Sequence, residues 1–264
     1  MAYVELHAHS AFSFLDGASL PEELVVAAVQ RGHRAMALTD HDTISGSMEF
    51  AMAAQPLGLR AIHGGEITLD DHRHLTLLVR SERGWHNLCR LLTHAHARTR
   101  DTPGRRTVEK PGVSLDVLEE HAEGLVCLSG CACHGVRDEP TMQRLLGAFG
   151  RDGFRVELQR PFARHDRTLN RGLAALAQRL GVPCVATGGV HAHSQARARL
   201  QDVFVAIREH TTLDASEPLR RGNHAHVLAT PAAMAARFED HPDAVAETER
   251  LAETLTFDLS SDLG

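Results

Sequence analysis

Short apolar runs alternate with amphipathic helical patterns along most of this 264-residue chain. Seven runs are rich in Val, Ile and Leu and mostly end at polar residues or glycine, which is typical of buried strands. They occupy residues 3–8, 35–40, 59–64, 74–79, 125–130, 154–159 and 182–187. Strands that alternate with helices predict an α/β fold with a mostly parallel sheet. Seven strands favour closure into a barrel, and an open doubly wound sheet fits the same pattern.

Three helices have clear signals in the sequence. The stretch "SLPEELVVAAVQRGH" offers Ser19 as an N-cap, Pro21 in the first turn and Gly32 at the end. The stretches at 166–181 and 242–255 have the apolar spacing of amphipathic helices. These helices separate the predicted strands or follow the last of them.

Histidine is the most unusual part of the composition, with 19 residues beside one Trp and one Tyr. Because histidine is the commonest metal ligand and a frequent acid–base group, this bias favours a metal-dependent site. The net charge of −6 means that phosphate would be bound only through local basic groups or metal ions. Five cysteines, an odd number, argue against a disulfide scaffold. The absence of a signal-peptide pattern and of a long apolar run predicts a cytoplasmic protein without membrane contact.

Potential metal ligands follow several predicted strands, at the end where α/β folds keep their active sites. His7 and His9 end the first run, and alternate residues of a strand share a face, so their imidazoles should project together. Further candidates follow the later runs or lie in a helix: Asp40, His41, Asp42, His63, Glu66, His94, His96, Cys131, Cys133, His134, His191 and His193. Asp40 and Asp42 would either orient the histidines or cap the next turn.

Imidazoles, carboxylates and a thiolate suit zinc, manganese or iron. The candidates are too numerous for one tetrahedral ion, which predicts a cluster of two or three divalent ions. Such a cluster binds phosphate oxygens and holds a metal-bound water for in-line attack on phosphorus. The sequence contains no phosphate-binding P-loop, no Rossmann fingerprint, no HExxH and no GxSxG motif.

Residues 97–114 interrupt the alternation with prolines, glycines and basic residues, and we expect an exposed loop there. Most such loops are simply solvated. The alternative is a loop that contacts substrate phosphate. Its candidate substrate-binding residues are Arg98, Arg100, Arg105 and Arg106.

Six stretches resemble the PHP (polymerase and histidinol phosphatase) domain, most closely the N-terminal PHP domain of error-prone bacterial C-family DNA polymerases, relatives of the polymerase III α-subunit. They are "ELHAHSAFSFLDGAS", "GHRAMALTDHDTISG", "NLCRLLTHAHAR", "GLVCLSGC", "GVPCVATGGVHAHS" and "RLQDVFVAIREHTTLD". The resemblance implies a distorted (β/α)7 barrel, with residues 1–264 as one domain and about 200–264 as a helical extension. It also implies a trinuclear metal centre held by His7, His9, Asp16, His41, Glu66, His96, Cys131 and His191. We expect Cys133 and His134 to be bystanders.

One position departs from the family pattern. Where the family has Asn-Asp-x-His after the last strand, this chain has Gly188 and Gly189 before Val190 and His191, so one carboxylate ligand is missing. We consider His193 as a substitute ligand. The missing carboxylate is expected to weaken one metal site.

The resemblance implies a metal-dependent phosphoesterase that hydrolyses phosphodiesters at DNA 3′ ends, in the manner of a proofreading 3′–5′ exonuclease. Polymerase or DNA-repair proteins would be its partners. Two alternatives stay open. The domain could be a weakly active or inactive, metal-stabilised docking module of an error-prone polymerase, or a small-molecule phosphomonoesterase.

Overall fold

A computed structural model describes residues 3–99, 110–222 and 224–262 of the chain. Its central element is a curled sheet of six strands in the order β1-β2-β3-β4-β5-β6. The strands are β1 (Ala35–Leu38), β2 (Arg60–Thr68), β3 (His74–Val79), β4 (Leu125–Leu128), β5 (Phe154–Gln159) and β6 (Cys184–Thr187). All six coincide with predicted strands, although the boundaries differ by several residues.

Strand β3 runs antiparallel to both of its neighbours, β2 and β4, whereas the other pairs are parallel. A short turn joins β2 to β3, and a hairpin of this length can only connect antiparallel strands. The first residue of β3, His74, therefore lies at the same end of the sheet as the last residues of β1 and β2.

The first predicted strand is an irregular segment that contacts both edges of the sheet. Glu5 forms an isolated parallel bridge with Met36 of β1, and Ala8 forms another with Val190, just beyond β6. The amide of His9 donates to the carbonyl of Val190 over 2.8 Å. The segment thus joins the two edge strands, and the fold is a distorted α/β barrel of the expected class.

Helices cover the outside of the sheet. In the described residues they are α1 (Pro21–Gln30), α2 (Ser47–Ala54), α3 (Glu82–Ala95), α4 (Leu115–Glu120), α5 (Glu139–Gly153), α6 (Asp166–Leu180), α7 (Gln195–Arg208), α8 (Pro231–Arg237) and α9 (Pro242–Thr254). Short 3-10 turns occur at Gln55–Leu57 and Glu217–Leu219. No helix in the described ranges is long and apolar enough to cross a bilayer.

The prediction of Ser19 as the N-cap of α1 is wrong by one residue. The helix begins at Pro21 and its N-cap is Leu20, whose amide donates to the Glu23 carboxylate over 2.9 Å. The Ser19 hydroxyl instead accepts the amide of His193 over 2.8 Å. Ser19 therefore ties the start of α1 to the segment after β6.

Alternate residues of the strands face the barrel interior. They include Ala37, Val126 and Val185, which pack there with Leu251 of α9. Arg60 of β2 donates to two carbonyls at the end of α9, over 2.7 and 3.1 Å. Helix α9 thus packs against the end of the barrel at which β2 begins, and the ligand candidates lie at the opposite end.

His63 and Glu66 both belong to β2, but the two side chains have different surroundings. His63 is 1% exposed and its ring lies near the rings of Trp85 and Phe257. Neither ring nitrogen of His63 has a hydrogen-bond partner among the described residues. Burial lowers the pKa of His63 to about 4, and the charge of Asp258 opposes this shift only in part.

His63→Phe is expected to make the fold less sensitive to acid. The unfolded chain binds a proton at His63 near pH 6.5, whereas the folded chain resists it down to about pH 4. His63 therefore does not reduce the free energy of unfolding above pH 6.5. As the pH decreases below that value the free energy of unfolding falls, by about 2 kcal/mol at pH 5. Chemical denaturation at pH 7.5 and pH 5 measures this loss, with the exposed His86→Phe as the control. If the free energy of unfolding falls equally with pH in wild type and His63→Phe, protonation of His63 does not cause the loss.

Candidate metal centre

A cavity of about 910 Å³ opens at the end of the barrel where β1, β2, β4 and β6 finish. Its wall carries side chains from distant parts of the sequence. They include His9, Asp16, His41, Glu66, His96, Cys131 and His191. His7 is fully buried behind this wall, in contact with His9 and Glu66. The fold therefore brings the nitrogen, oxygen and sulfur atoms of most predicted ligands close together.

Nine donor residues in the described part of the chain form four overlapping groups, within each of which the donor atoms lie no more than 4.8 Å apart. The groups are His7, His9 and Glu66; His9, Asp16 and His191; His41, Glu66 and His74; and His74, Cys131 and His134. His9, Glu66 and His74 each belong to two groups, so the groups form one continuous cluster. A cluster of this composition offers ligands for more than one divalent ion.

The innermost group is the most deeply buried, and none of its three side chains is more than 3% exposed. His7 and His9 approach each other with 3.0 Å between their Nε2 atoms, as alternation along the first segment predicts. His7 Nε2 lies 3.4 Å from Glu66 Oε1. Burial, then the neighbouring His191, hold the pKa of His9 well below its ordinary value, so His9 is neutral and able to bind a metal.

The second group lies closer to solvent, and an arginine beside it competes with a metal ion for the carboxylate of Asp16. Asp16 Oδ2 is 3.1 Å from His191 Nε2, and the rings of His191 and His9 stack with 4.3 Å between centroids. Arg221 also reaches Asp16, with its Nη2 2.9 and 3.1 Å from the two carboxylate oxygens. Burial alone would raise the pKa of Asp16, but His191 and Arg221 hold it well below its ordinary value. Asp16 is thus ionised.

The outer groups are centred on Glu66 and His74. His41 Nδ1 lies 2.6 Å from Glu66 Oε2, and His74 Nδ1 lies 3.4 Å from the same oxygen. The Cys131 sulfur is 3.9 Å from His74 Nδ1, and the rings of His74 and His134 are 4.7 Å apart. Burial, then the charge of Glu66, raise the pKa of the Cys131 thiol, so this sulfur would lose its proton only on binding a metal.

A second buried carboxylate fixes the orientation of His7. Glu157 Oε1 is 2.7 Å from His7 Nδ1, which leaves His7 Nε2 facing His9 and Glu66. Gln159 and Thr187 both donate to the same carboxylate. Burial alone would lower the pKa of His7, but the charge of Glu157 raises it to about 10. This is the arrangement by which a carboxylate orients a metal-binding histidine.

Comparison with known proteins identifies the family. Residues 5–161 match the sequence model of the PHP domain. The chain belongs to the PHP domain family. The match covers more than half of the chain and contains eight of the nine clustered donors of the described residues, since only His191 lies beyond its end.

Curated relatives carry the resemblance across almost the full length of this PHP chain. The error-prone DNA polymerase of Symbiobacterium thermophilum is 35% identical over 271 residues, covering 96% of this chain. That of Mycolicibacterium paratuberculosis is 38% identical over 283 residues, covering 98% of it. The chain spans about a quarter of the length of these polymerases, 25% in both cases.

A solved structure has the same fold. It belongs to a protein from Bifidobacterium adolescentis that carries a provisional assignment as a metal-dependent phosphoesterase. The TM-score is 0.54 at 19% identity, over 72% of this chain and 88% of that one. At this level of identity the similarity shows the fold alone.

Some predicted PHP site residues lie outside the four donor groups. His96 lines the cavity, but its Nε2 lies 2.8 Å from the carbonyl of Asp42. His193 is 2.9 Å from Ser19 Oγ and does not line the cavity. Arg98 is exposed and is also not among the lining residues. The other predicted substrate-binding residues, Arg100, Arg105 and Arg106, lie outside the described residues.

The two aspartates beside His41 have different contacts. Asp42 Oδ2 is 3.2 Å from His41 Nε2, and Asp42 also accepts the amide and hydroxyl of Thr68. Asp40 accepts bonds from Ser10 and Ser13, and the Ser13 hydroxyl lies 3.2 Å from His9 Nδ1. Asp42 therefore contacts a histidine directly, and Asp40 acts through Ser13.

Several residues of the site were not predicted from the sequence. His74 starts an antiparallel strand, whereas ligands were expected mainly at the carboxyl ends of strands. His134 was expected to be a bystander but shares a group with Cys131. Glu157 lies within a predicted strand, where only the two-residue alternation with Gln159 could have indicated that it faces the interior. For Arg221, no motif in the sequence gave a signal.

The backbone at Gly188 and Gly189, directly after β6, leaves little room for side chains. Gly189 has φ of +55°, and a Cβ at this position would lie 2.9 Å from Gln159 Nε2. A Cβ at Gly188 would lie 2.5 Å from Glu5 Oε2. The side chains of Gln159 and Glu5 thus occupy the space that side chains at these two positions would need.

Gly189→Asp is expected to lower the melting temperature of the metal-free protein, although the family resemblance predicts an aspartate at this position. A left-handed backbone costs about 1–2 kcal/mol in a residue with a Cβ, and crowding by Gln159 adds to this cost. The matched control is Gly58→Asp, because Gly58 has φ of +68° but no atom of the described residues lies within 4 Å of the place that its Cβ would occupy. Adding Gln159→Ala should recover part of the loss. Equal losses in the two aspartate variants would contradict this explanation.

Proposed function

We propose that this chain is a metal-dependent phosphoesterase that hydrolyses phosphodiesters at DNA 3′ ends through a centre of two or three divalent ions. The observation that carries the proposal is the continuous cluster of donors in one cavity. Membership of the PHP family supports the hydrolase, and the similarity to error-prone DNA polymerases supports DNA as the substrate. A cytoplasmic location stays a prediction.

The donors fit such ions. Glu66 Oε1 is buried and lacks a hydrogen-bond partner among the described residues, yet it lies 3.4 Å from His7 Nε2. An oxygen in this state is stabilised by a cation. Imidazole, carboxylate and thiolate donors together suit zinc, manganese or iron. When bound, such ions would polarise a phosphoryl oxygen and make water a stronger nucleophile at neutral pH.

The side chains of this chain would have distinct roles in the reaction. His7, His9 and Glu66 would hold one ion. Asp16 and His191 would hold a neighbouring ion, and His9 lies between these two sets of ligands. The remaining ligands would be His41, His74, Cys131 and His134. Asp42 would orient His41 from outside the ligand set, and the cavity would shield the reacting phosphate from bulk water.

A second candidate function is a metal-stabilised docking module without strong catalysis. Two observations favour it: Gly189 has no carboxylate to offer, and Arg221 occupies one side of Asp16. Both would weaken metal binding at a site that a catalytic PHP domain needs. The two functions differ in turnover, since only the first requires hydrolysis.

The double variant His7→Ala, His9→Ala is expected to abolish hydrolysis. Wild type with Mn²⁺ or Zn²⁺ should release product from 3′-labelled single-stranded DNA and from a chromogenic phosphodiester, whereas the variant should not. Metal should also raise the melting temperature of wild type alone, by the equivalent of about 3 kcal/mol at 100-fold excess over Kd. His86→Ala on the exposed face of α3 is the control.

Each outcome separates the candidates. Hydrolysis that survives in the double variant would show that another site or a contaminant is responsible. A metal-dependent rise in melting temperature without turnover would favour the docking module. Turnover of a chromogenic phosphomonoester, assayed in parallel, without turnover of DNA would favour a small-molecule phosphomonoesterase.

Glu157→Gln is expected to weaken metal binding about 10- to 100-fold, because the neutral amide lacks the negative charge that orients His7 and makes its imidazole a stronger ligand. The substitution preserves the shape of the side chain, so the metal-free fold should persist. Isothermal titration with Mn²⁺ measures the change, and Glu123→Gln at the surface is the control. An unchanged Kd would show that Glu157 does not orient a ligand.

A further inference from the structure

The loop that carries Asp16 presents two phenylalanines at the mouth of the cavity. Phe12 is 37% exposed and Phe14 is 84% exposed, and both line the cavity. Exposure of a whole phenyl ring to water is unfavourable, so an aromatic residue held in this state beside a candidate active site points to a ligand.

The loop is firmly held, so the exposure of Phe14 is a fixed feature of the fold. The amides of Asp16 and Gly17 both donate to the carbonyl of Ser13, over 2.9 and 3.0 Å. The Ser13 hydroxyl in turn donates to Asp40 over 2.7 Å. These bonds fix the backbone on both sides of Phe14, which is the condition for a preorganised binding surface.

Arginines from the C-terminal part of the chain lie in the same cavity as this loop. Arg208, Arg220 and Arg221 line the same cavity. Arg208 at the end of α7 reaches the carbonyl of Leu15 over 3.4 Å, and Arg221 contacts Asp16. All three lie beyond residues 5–161, the part that matches the family. Because the whole chain has a net charge of −6, this basic group is a local feature.

We propose that Phe12, Phe14, Arg208 and Arg220 form a docking surface for the terminal nucleotides of single-stranded DNA. The proposal rests on the function proposed above, because the donor groups define where the scissile phosphate would lie. Aromatic rings that stack on bases, combined with arginines that track phosphates, are the usual means of binding single-stranded nucleic acid. Arg221 links the two regions, since it contacts Asp16 of the second donor group.

The charge and position of the surface favour this occupant over others. A small phosphomonoester bound at the donor groups would not need a phenyl ring that is 84% exposed at the cavity mouth. A purely apolar protein partner would not match three arginines on the same wall. A single strand presents phosphates and unstacked bases together, and so matches both features.

The test is the affinity of the metal-loaded protein for a fluorescent 12-nucleotide oligo(dT) whose phosphorothioate linkages resist cleavage, measured by anisotropy. Phe14→Ala should weaken binding about tenfold through the loss of one stacked base. Phe14→Leu should behave like Phe14→Ala, whereas Phe14→Trp should bind at least as well as wild type. Phe162→Ala is the matched control, because Phe162 is 61% exposed and does not line the cavity.

The arginines are tested by the salt dependence of the same binding. Each lost phosphate contact should reduce the slope of log K against log salt by about 0.7 for a single strand. Arg208→Gln and Arg220→Gln should each show this reduction. The exposed Arg90→Gln on α3 should keep the wild-type slope.

Failure of this proposal is distinguishable from failure of the proposed function. Absence of oligonucleotide binding in wild type, or equal affinity of wild type and Phe14→Ala, would overturn the docking surface even if the chromogenic ester is hydrolysed. Binding that depends on Phe14 would support it even if nothing is hydrolysed. If Phe14→Ala changes only the oligomeric state on size exclusion, the surface contacts another copy of the chain and the proposal is wrong.

Discussion

The candidate site depends on one buried carboxylate. Glu66 is 3% exposed, and four imidazoles of the described residues have a nitrogen within 4 Å of it: His41 at 2.6 Å, His7 and His74 at 3.4 Å, and His9 at 3.9 Å. A buried negative charge must be balanced, either by protonated histidines or by metal ions. Burial alone would raise the pKa of Glu66, but its histidine contacts hold it well below the ordinary value.

The sheet topology makes this convergence possible. His41 follows β1 and forms a bridge with Glu66, whereas His74 begins β3. Only an antiparallel β3 brings the start of that strand to the end of β2. The irregular N-terminal segment then adds His7 and His9 between the two edges of the sheet. The site therefore requires the assembled barrel, and no local segment could form it alone.

The sequence predicted the features that depend on local periodicity. The alternation of strands and helices indicated the fold class, and the two-residue spacing of His7 and His9 indicated their shared direction. It could not predict features that depend on strand direction or on contacts between distant segments. His74 required knowledge that β3 is antiparallel, and the contact of Arg221 with Asp16 spans 205 residues.

The packing of side chains around Gly188 and Gly189 could not be predicted either. The glycine at position 189 is visible in the sequence, but the space around it depends on Gln159, which comes from β5. The same polar residue also donates to Glu157, which orients His7. The region around Gly189 is therefore a packed hydrogen-bond network, and one substitution there affects both stability and the orientation of His7.

The central claim is that the donors around Glu66 bind several divalent ions in one cavity, and elemental analysis of the purified protein after exhaustive dialysis tests it most directly. The account predicts two or three zinc, manganese or iron ions per chain, with a clear loss in Glu66→Ala, because Glu66 belongs to two of the donor groups. Less than one ion per chain in wild type after growth and dialysis with added metal, or full retention in Glu66→Ala, would contradict it.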